Sequence, residues 1–175
     1  MFLNIFVQSF WKNIKQSVSL SVIKQQNIAI VYLNRDLRLE DHAALSAALA
    51  RPYPVLMIYN QFKSLQDLQL ISERHDNFVK QTLVEMNENL SRYDSEVCSV
   101  NLEPIQLMKS LMSVYNIAEF YYHFETELYE AHQKRLSLFR FLKNNNVAIF
   151  KFHLNGLFQE PTDLNSWKSK WSAQI

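Results

Sequence analysis

At 175 residues, 48% hydrophobic and 20% charged, the chain has the make-up of one ordinary globular domain with a full apolar core, and it is too short for two of typical size. A formal net charge of +1 supplies no overall attraction to nucleic acid, although it leaves room for a local basic patch. The lone glycine, Gly156, removes the G-x-G-x-x-G and P-loop phosphate cradles; the lone cysteine, Cys98, removes an intramolecular disulfide framework and suits a reducing, cytoplasmic setting.

Residues 1–26 read as an extension ahead of the domain. Leu3, Phe6, Val7, Phe10, Ile14 and Val18 recur at helical spacing, Lys12, Lys15 and Lys24 are its charges, and no acid precedes Asp36. An amphipathic helix on a membrane surface, a targeting segment, a helix packed on the domain and a disordered leader all stay open, and no stretch is long and apolar enough to span a bilayer.

The domain proper, 27–157, opens on Ile28 to Leu33, an apolar run without polar alternation that predicts a strand covered on both faces. Asn34, Arg35 and Asp36 break it, and the alanine-rich EDHAALSAALA predicts a helix. Tyr53 to Tyr59 predicts a second strand, followed by a connection over 60–71 of undefined form. Ser72 is placed to cap a helix running to about Arg92 with Phe78, Leu83, Met86 and Leu90 as its apolar stripe.

A third strand is expected over Glu96 to Leu102, with Cys98 as a small core residue, and then a helix from Pro104, where a missing backbone donor does no harm. Ala118 to Phe124 predicts the fourth strand and Thr126 to Lys143 a helix. Asn144, Asn145 and Asn146 stop it, and Val147 to His153 supplies a fifth strand. Strands alternating with helices call for an α/β fold with a parallel sheet. Residues 158–175 read as a carboxyl-terminal tail or the start of a linker.

The loop after the first strand resembles the signature of the photolyase and cryptochrome family: Arg35, Asp36, Leu37, Arg38, Asp41, Ala44 and Leu45 match its Arg-Asp-Leu-Arg, Asp and Ala/Leu helix. Ser72, Arg74, Phe78, Leu83 and Leu90 are similar to its next Leu-rich helix. His123, Glu125 and Thr126 resemble the His-x-Glu-Thr of one bacterial subgroup, with Asn155, Gly156, Trp167 and Trp171 following as in that subgroup. Departures lie at Tyr32-Leu33-Asn34, in place of Trp-Phe-Arg, at Glu127 and Ser166, in place of glycine, and at 131–133, where an Arg is usual.

The resemblance implies a five-stranded, doubly wound, Rossmann-like sheet of order 3-2-1-4-5, flanked by helices. It also implies a ligand crevice between the first and fourth strands, where strand order reverses. Asn34, Arg35, Asp36, His123, Glu125 and Thr126 are the candidate cofactor-binding residues, suited to a polar ring by charge-assisted hydrogen bonds. In the family this region can hold an antenna chromophore, a folate or a deazaflavin. The plainer alternative has Arg35, Asp36 and Arg38 pairing with one another or with Asp41, His123 as a satisfied strand-end histidine, and Glu125, Glu127 and Glu130 as a solvated helix start.

In the family a larger helical domain follows and holds FAD, the electron-transfer tryptophans and the pocket for a flipped pyrimidine dimer. The resemblance therefore implies a stand-alone or truncated amino-terminal domain without light-driven DNA repair of its own. The competing reading is an interaction module docking on a separate helical FAD-binding half or another protein. Trp167, Lys168, Lys170 and Trp171 could stack on bases or fold back on the domain; direct DNA binding by this domain alone is not expected. No local signature suggests a catalytic set, and His75, His132 and His153 show no metal-ligand spacing.

Overall fold

The computed structural model describes residues 26–61, 72–125, 129–153 and 163–172. In chain order the elements are β1 (Asn27–Leu33), α1 (Ala43–Leu49), β2 (Val55–Asn60), α2 (Glu73–Ser91), β3 (Cys98–Val100), α3 (Pro104–Met112), β4 (Asn116–Phe124), α4 (Tyr129–Asn144), β5 (Ala148–His153) and α5 (Leu164–Ser172). The five strands form one sheet of order β3-β2-β1-β4-β5, and every pairing is parallel. The expected α/β architecture and strand order are thus the observed ones. Residues 1–25, where the amphipathic extension was expected, and 62–71 lie outside the described residues.

β1 is central because both of its faces are apolar. Ile28 and Ile30 face one way and pack with Ile58, Leu107, Met108, Leu111, Leu138 and Leu142, so α3 and α4 cover this side. Ala29, Val31 and Leu33 face the other way with Ala44, Ala48, Val79, Leu83 and Met86 from α1 and α2. Alternation of side chains along a strand distributes one apolar run between two cores. Ala29, Ala44 and Ala48, all fully buried, let α1 lie close on the sheet. Where β1 meets β4, Ile28 pairs with Ile117 but Ala29 with Glu119, so Ala118 is one extra residue on β4.

Local chemistry ends the helices where expected. The Ser72 hydroxyl accepts the His75 amide 3.2 Å away at the start of α2, and Pro104 opens α3. After α2 the Ser95 amide donates to the Leu90 carbonyl, and after α4 the Val147 amide donates to that of Leu142. In both turns the residue just before, Asp94 at φ 50° and Asn146 at φ 58°, is left-handed. That position usually takes glycine, and Asp and Asn are the side chains that tolerate it best in a chain with a single glycine.

Two expectations are corrected by the packing. Phe78 was placed in the apolar stripe of α2, but it is 64% exposed and Val79 takes the buried position beside Leu83 and Met86. The stripe follows 79, 83, 86 and 90, which is a cleaner helical spacing than one starting at 78. The second correction concerns Glu125. Instead of standing on a solvated helix start, it is buried, with 6% of its surface exposed.

Candidate functional site

The site grows out of the turn that ends β1. The Asn34 amide donates to Asp36 Oδ1 at 2.7 Å, which turns the Asp36 side chain inward beneath the loop. Its other oxygen, Oδ2, lies 2.6 Å from His123 Nδ1 at the end of β4. The same oxygen is 3.0 Å from His42 Nε2, although that approach is poorly aligned for a hydrogen bond. The three side chains are between 0% and 2% exposed. Burial opposes the Asp36 charge, but the hydrogen bonds from His123 and the Asn34 amide, with the His42 ring close by, outweigh it and hold the carboxyl well below the usual carboxylate range.

His42 has a second role. Its Nδ1 accepts the Leu45 amide at 3.0 Å and so caps α1, in a position where a short polar acceptor normally serves. A neutral imidazole that accepts at Nδ1 carries its proton on Nε2, the atom facing Asp36. This decides how the cluster is read. Asp36, His42 and His123 bring their candidate ligand atoms within 4.8 Å of one another, the composition of a metal site. A metal on His42 Nε2 would have to displace the proton that the helix cap keeps there, so the trio fits a hydrogen-bonded carboxylate better than a cation.

Glu125 closes the gap between the first and fourth strands. Its Oε2 accepts from Asn34 Nδ2 at 2.9 Å, and its Oε1 accepts from the Arg35 amide at 3.1 Å. The Arg35 guanidinium stays 67% exposed with Nε 4.0 Å from the same carboxylate, a loose pair open to solvent. Arg38 turns away to bond the Asp41 carbonyl and carboxylate.

Beside this cluster lies a cavity of about 800 Å³ at the carboxyl ends of β1, β2 and β4. The sheet contributes Tyr32, Phe120 and Tyr122, α2 contributes Phe78 and Val79, and α4 contributes Leu138 and Phe139. Arg35, Lys134, Arg135, His75 and His123 also border it. The Arg135 guanidinium sits over the Phe124 ring at 5.3 Å and over Tyr122 at 6.0 Å, and Lys134 bonds Glu103 at 3.0 Å. Aromatic walls with cations beside them suit a planar ring carrying an anionic substituent.

Of the six residues expected from sequence, five converge as one network: Asn34, Arg35 and Asp36 from the β1 turn meet His123 and Glu125 from the end of β4. Thr126 lies outside the described residues. The network is largely self-satisfied: Asp36 and Glu125 face inward, while Arg35 and His123 border the cavity. Sequence reasoning missed His42, whose place immediately before the alanine-rich helix marks it as a capping position. It also missed Tyr32 and Tyr122, which the strand alternation puts on the same face as Phe120.

The fold defines a doubly wound α/β domain with a cavity at its topological switch point. Residues 29–171 match the DNA photolyase family model, and the chain belongs to that family. No curated protein matches it by sequence. Among solved structures it is similar to an archaeal photolyase from Sulfolobus tokodaii described with two FAD molecules and an implied novel light-harvesting cofactor (18% identity, TM-score 0.66, 83% of this chain and 34% of that one). A bacterial class III photolyase from Agrobacterium tumefaciens matches at 19% identity and TM-score 0.66, over 84% of this chain and 30% of its own. A Synechocystis cryptochrome matches at 19% and 0.63, over 75% and 28%. The chain thus spans about a third of the length of these relatives.

Proposed function

We propose that this domain binds a planar ring ligand of the antenna-chromophore or nucleotide class, a folate or a flavin-type ring, in the cavity between the ends of β1 and β4. The observation that carries the reading is the cavity itself: about 800 Å³, walled by Tyr32, Tyr122, Phe78 and Phe139, with Arg35, Lys134 and Arg135 at its border. Stacking on the aromatic side chains would hold the ring, and the cations would meet a phosphate or carboxylate tail. The domain itself positions and shields the ligand, and light absorption is the chemistry that the bound ring supplies. Membership of the family and the Sulfolobus structure's implied light-harvesting cofactor support an antenna role.

Titration of the purified protein with riboflavin 5′-phosphate and with a reduced folate, followed by fluorescence, tests the reading. Saturable one-to-one binding that weakens about tenfold or more in Arg135→Ala is expected; failure of both probes to bind rejects it. The domain is further proposed to carry out no light-driven dimer repair unaided. Blue-light repair of a thymine-dimer oligonucleotide by the isolated chain would contradict that part. A second reading, docking on a separately encoded helical half, is favoured by Phe78, which borders the cavity yet is 64% exposed. Co-expression with such a half, followed by co-purification lost in Phe78→Ser, is its test.

A further inference from the structure

Within the cavity one polar group is set up differently from the cations. His123 ends β4, its side chain is 2% exposed, and its Nδ1 is held 2.6 Å from Asp36 Oδ2. Asp36 is ionised, because the hydrogen bonds it receives outweigh its burial. A carboxylate only accepts, so the Nδ1 of His123 must carry the proton, and a ring bearing that single proton has Nε2 as a bare acceptor. His42, on the other side of the same carboxylate, is fixed in the opposite tautomer by the Leu45 amide. The two rings meet edge to face at 4.5 Å between centroids, and Phe152 packs against His123 at 6.0 Å, so the His123 ring has neighbours on two sides.

His123 also borders the cavity and makes no other hydrogen bond among the described residues. We infer that His123 presents Nε2 to the cavity as an acceptor that selects ligands with an N–H or O–H donor at the ring edge, and that Asp36 acts as the positioning residue fixing this tautomer. The inference rests on the ring-binding reading above and adds what the cavity distinguishes. The cations around it, Arg35, Lys134 and Arg135, can only donate. A buried acceptor therefore separates a ring edge bearing an N–H, such as the imide of an isoalloxazine, from the same edge when it is methylated. Leaving such a group without a donor weakens binding by about tenfold or more.

Two measurements test it. In the ligand-free protein, histidine ring nitrogen NMR at mildly alkaline pH should show His123 protonated on Nδ1 and bare on Nε2, with His42 the reverse. A His123 ring protonated on Nε2, or on both nitrogens, overturns the inference whatever binds. Riboflavin 5′-phosphate should bind about tenfold or more tightly than its N3-methyl analogue, and His123→Phe should abolish that preference while still binding the analogue. Equal affinity of the wild-type protein for both flavins also overturns it. If neither flavin nor folate binds, the cavity reading fails and the ligand-selection part of this inference fails with it, while the tautomer spectrum still reports whether the acceptor is built as described.

Discussion

A single carboxylate, Asp36, gathers more of the site than any other residue: one backbone amide and two imidazoles meet its two oxygens, from the β1 turn, the cap of α1 and the end of β4. Asp36→Asn keeps the shape but removes the charge and places an amide against two imidazole N–H groups. It is expected to cost about 1.5–3 kcal/mol, read from urea denaturation. The pH dependence follows from the depressed carboxyl. In the unfolded chain Asp36 titrates near about 4, and in the fold it titrates lower. Its contribution is therefore fully present above the unfolded value and is lost as pH falls through the folded one. The stability difference between wild type and Asp36→Asn should shrink as pH is lowered below about 4; a difference that stays constant down to acid unfolding would refute this account.

At the scale of elements, the helices have unequal shares in the two cores. α4 anchors one face through Leu138 and Leu142, both almost wholly buried, and α2 covers the other through Val79, Leu83, Met86 and Leu90. Leu138→Ala should cost about 2–5 kcal/mol, because the tightly packed layer beneath it cannot fully close the void. Phe78→Ser, on the outward side of α2, should change stability by no more than about 0.5 kcal/mol while weakening ring-ligand binding. Thermal denaturation of the two variants side by side checks the pair, and similar losses in both would mean that Phe78 belongs to the core after all. The misplacement of Phe78 has a plain source. Phe78 and Val79 are adjacent apolar residues, and only the rotation of α2 on the sheet decides which of them is covered.

For the whole molecule, a buried thiol in the sheet can report on opening. Cys98 sits in β3 at 2% exposure, and burial first, with the nearby Glu96 charge second, pushes its thiol up to about 12. An aromatic disulfide reagent at mildly alkaline pH should therefore leave the native protein almost untouched and label it at the rate of global opening. Rapid labelling under conditions where circular dichroism shows the fold intact would mean that the β3 edge opens independently of the rest. This edge strand has three residues and, among the described residues, pairs only with β2, so the measurement also shows whether the short edge is held as firmly as the centre.

Periodicity and punctuation were enough to place the elements from β1 to β5, but not α5, which lies in the stretch read as a tail or linker. The apolar β1 run, the Ser72 cap, Pro104 and the asparagines after α4 are local signals, and local backbone chemistry is what sets where helices and strands begin and end. Parallel pairing follows from their alternation, while the strand order and the idea of a crevice between β1 and β4 came with the family likeness of the Arg35–Asp36 loop and His123. What neighbouring residues cannot encode is which way a side chain turns once two distant segments meet. Asp36 lies 87 positions from His123, and Glu125 lies 91 from Asn34. Only the tertiary structure turned these carboxylates inward and recruited His42, because an acid leaves water where donors from separate parts of the chain converge to replace it.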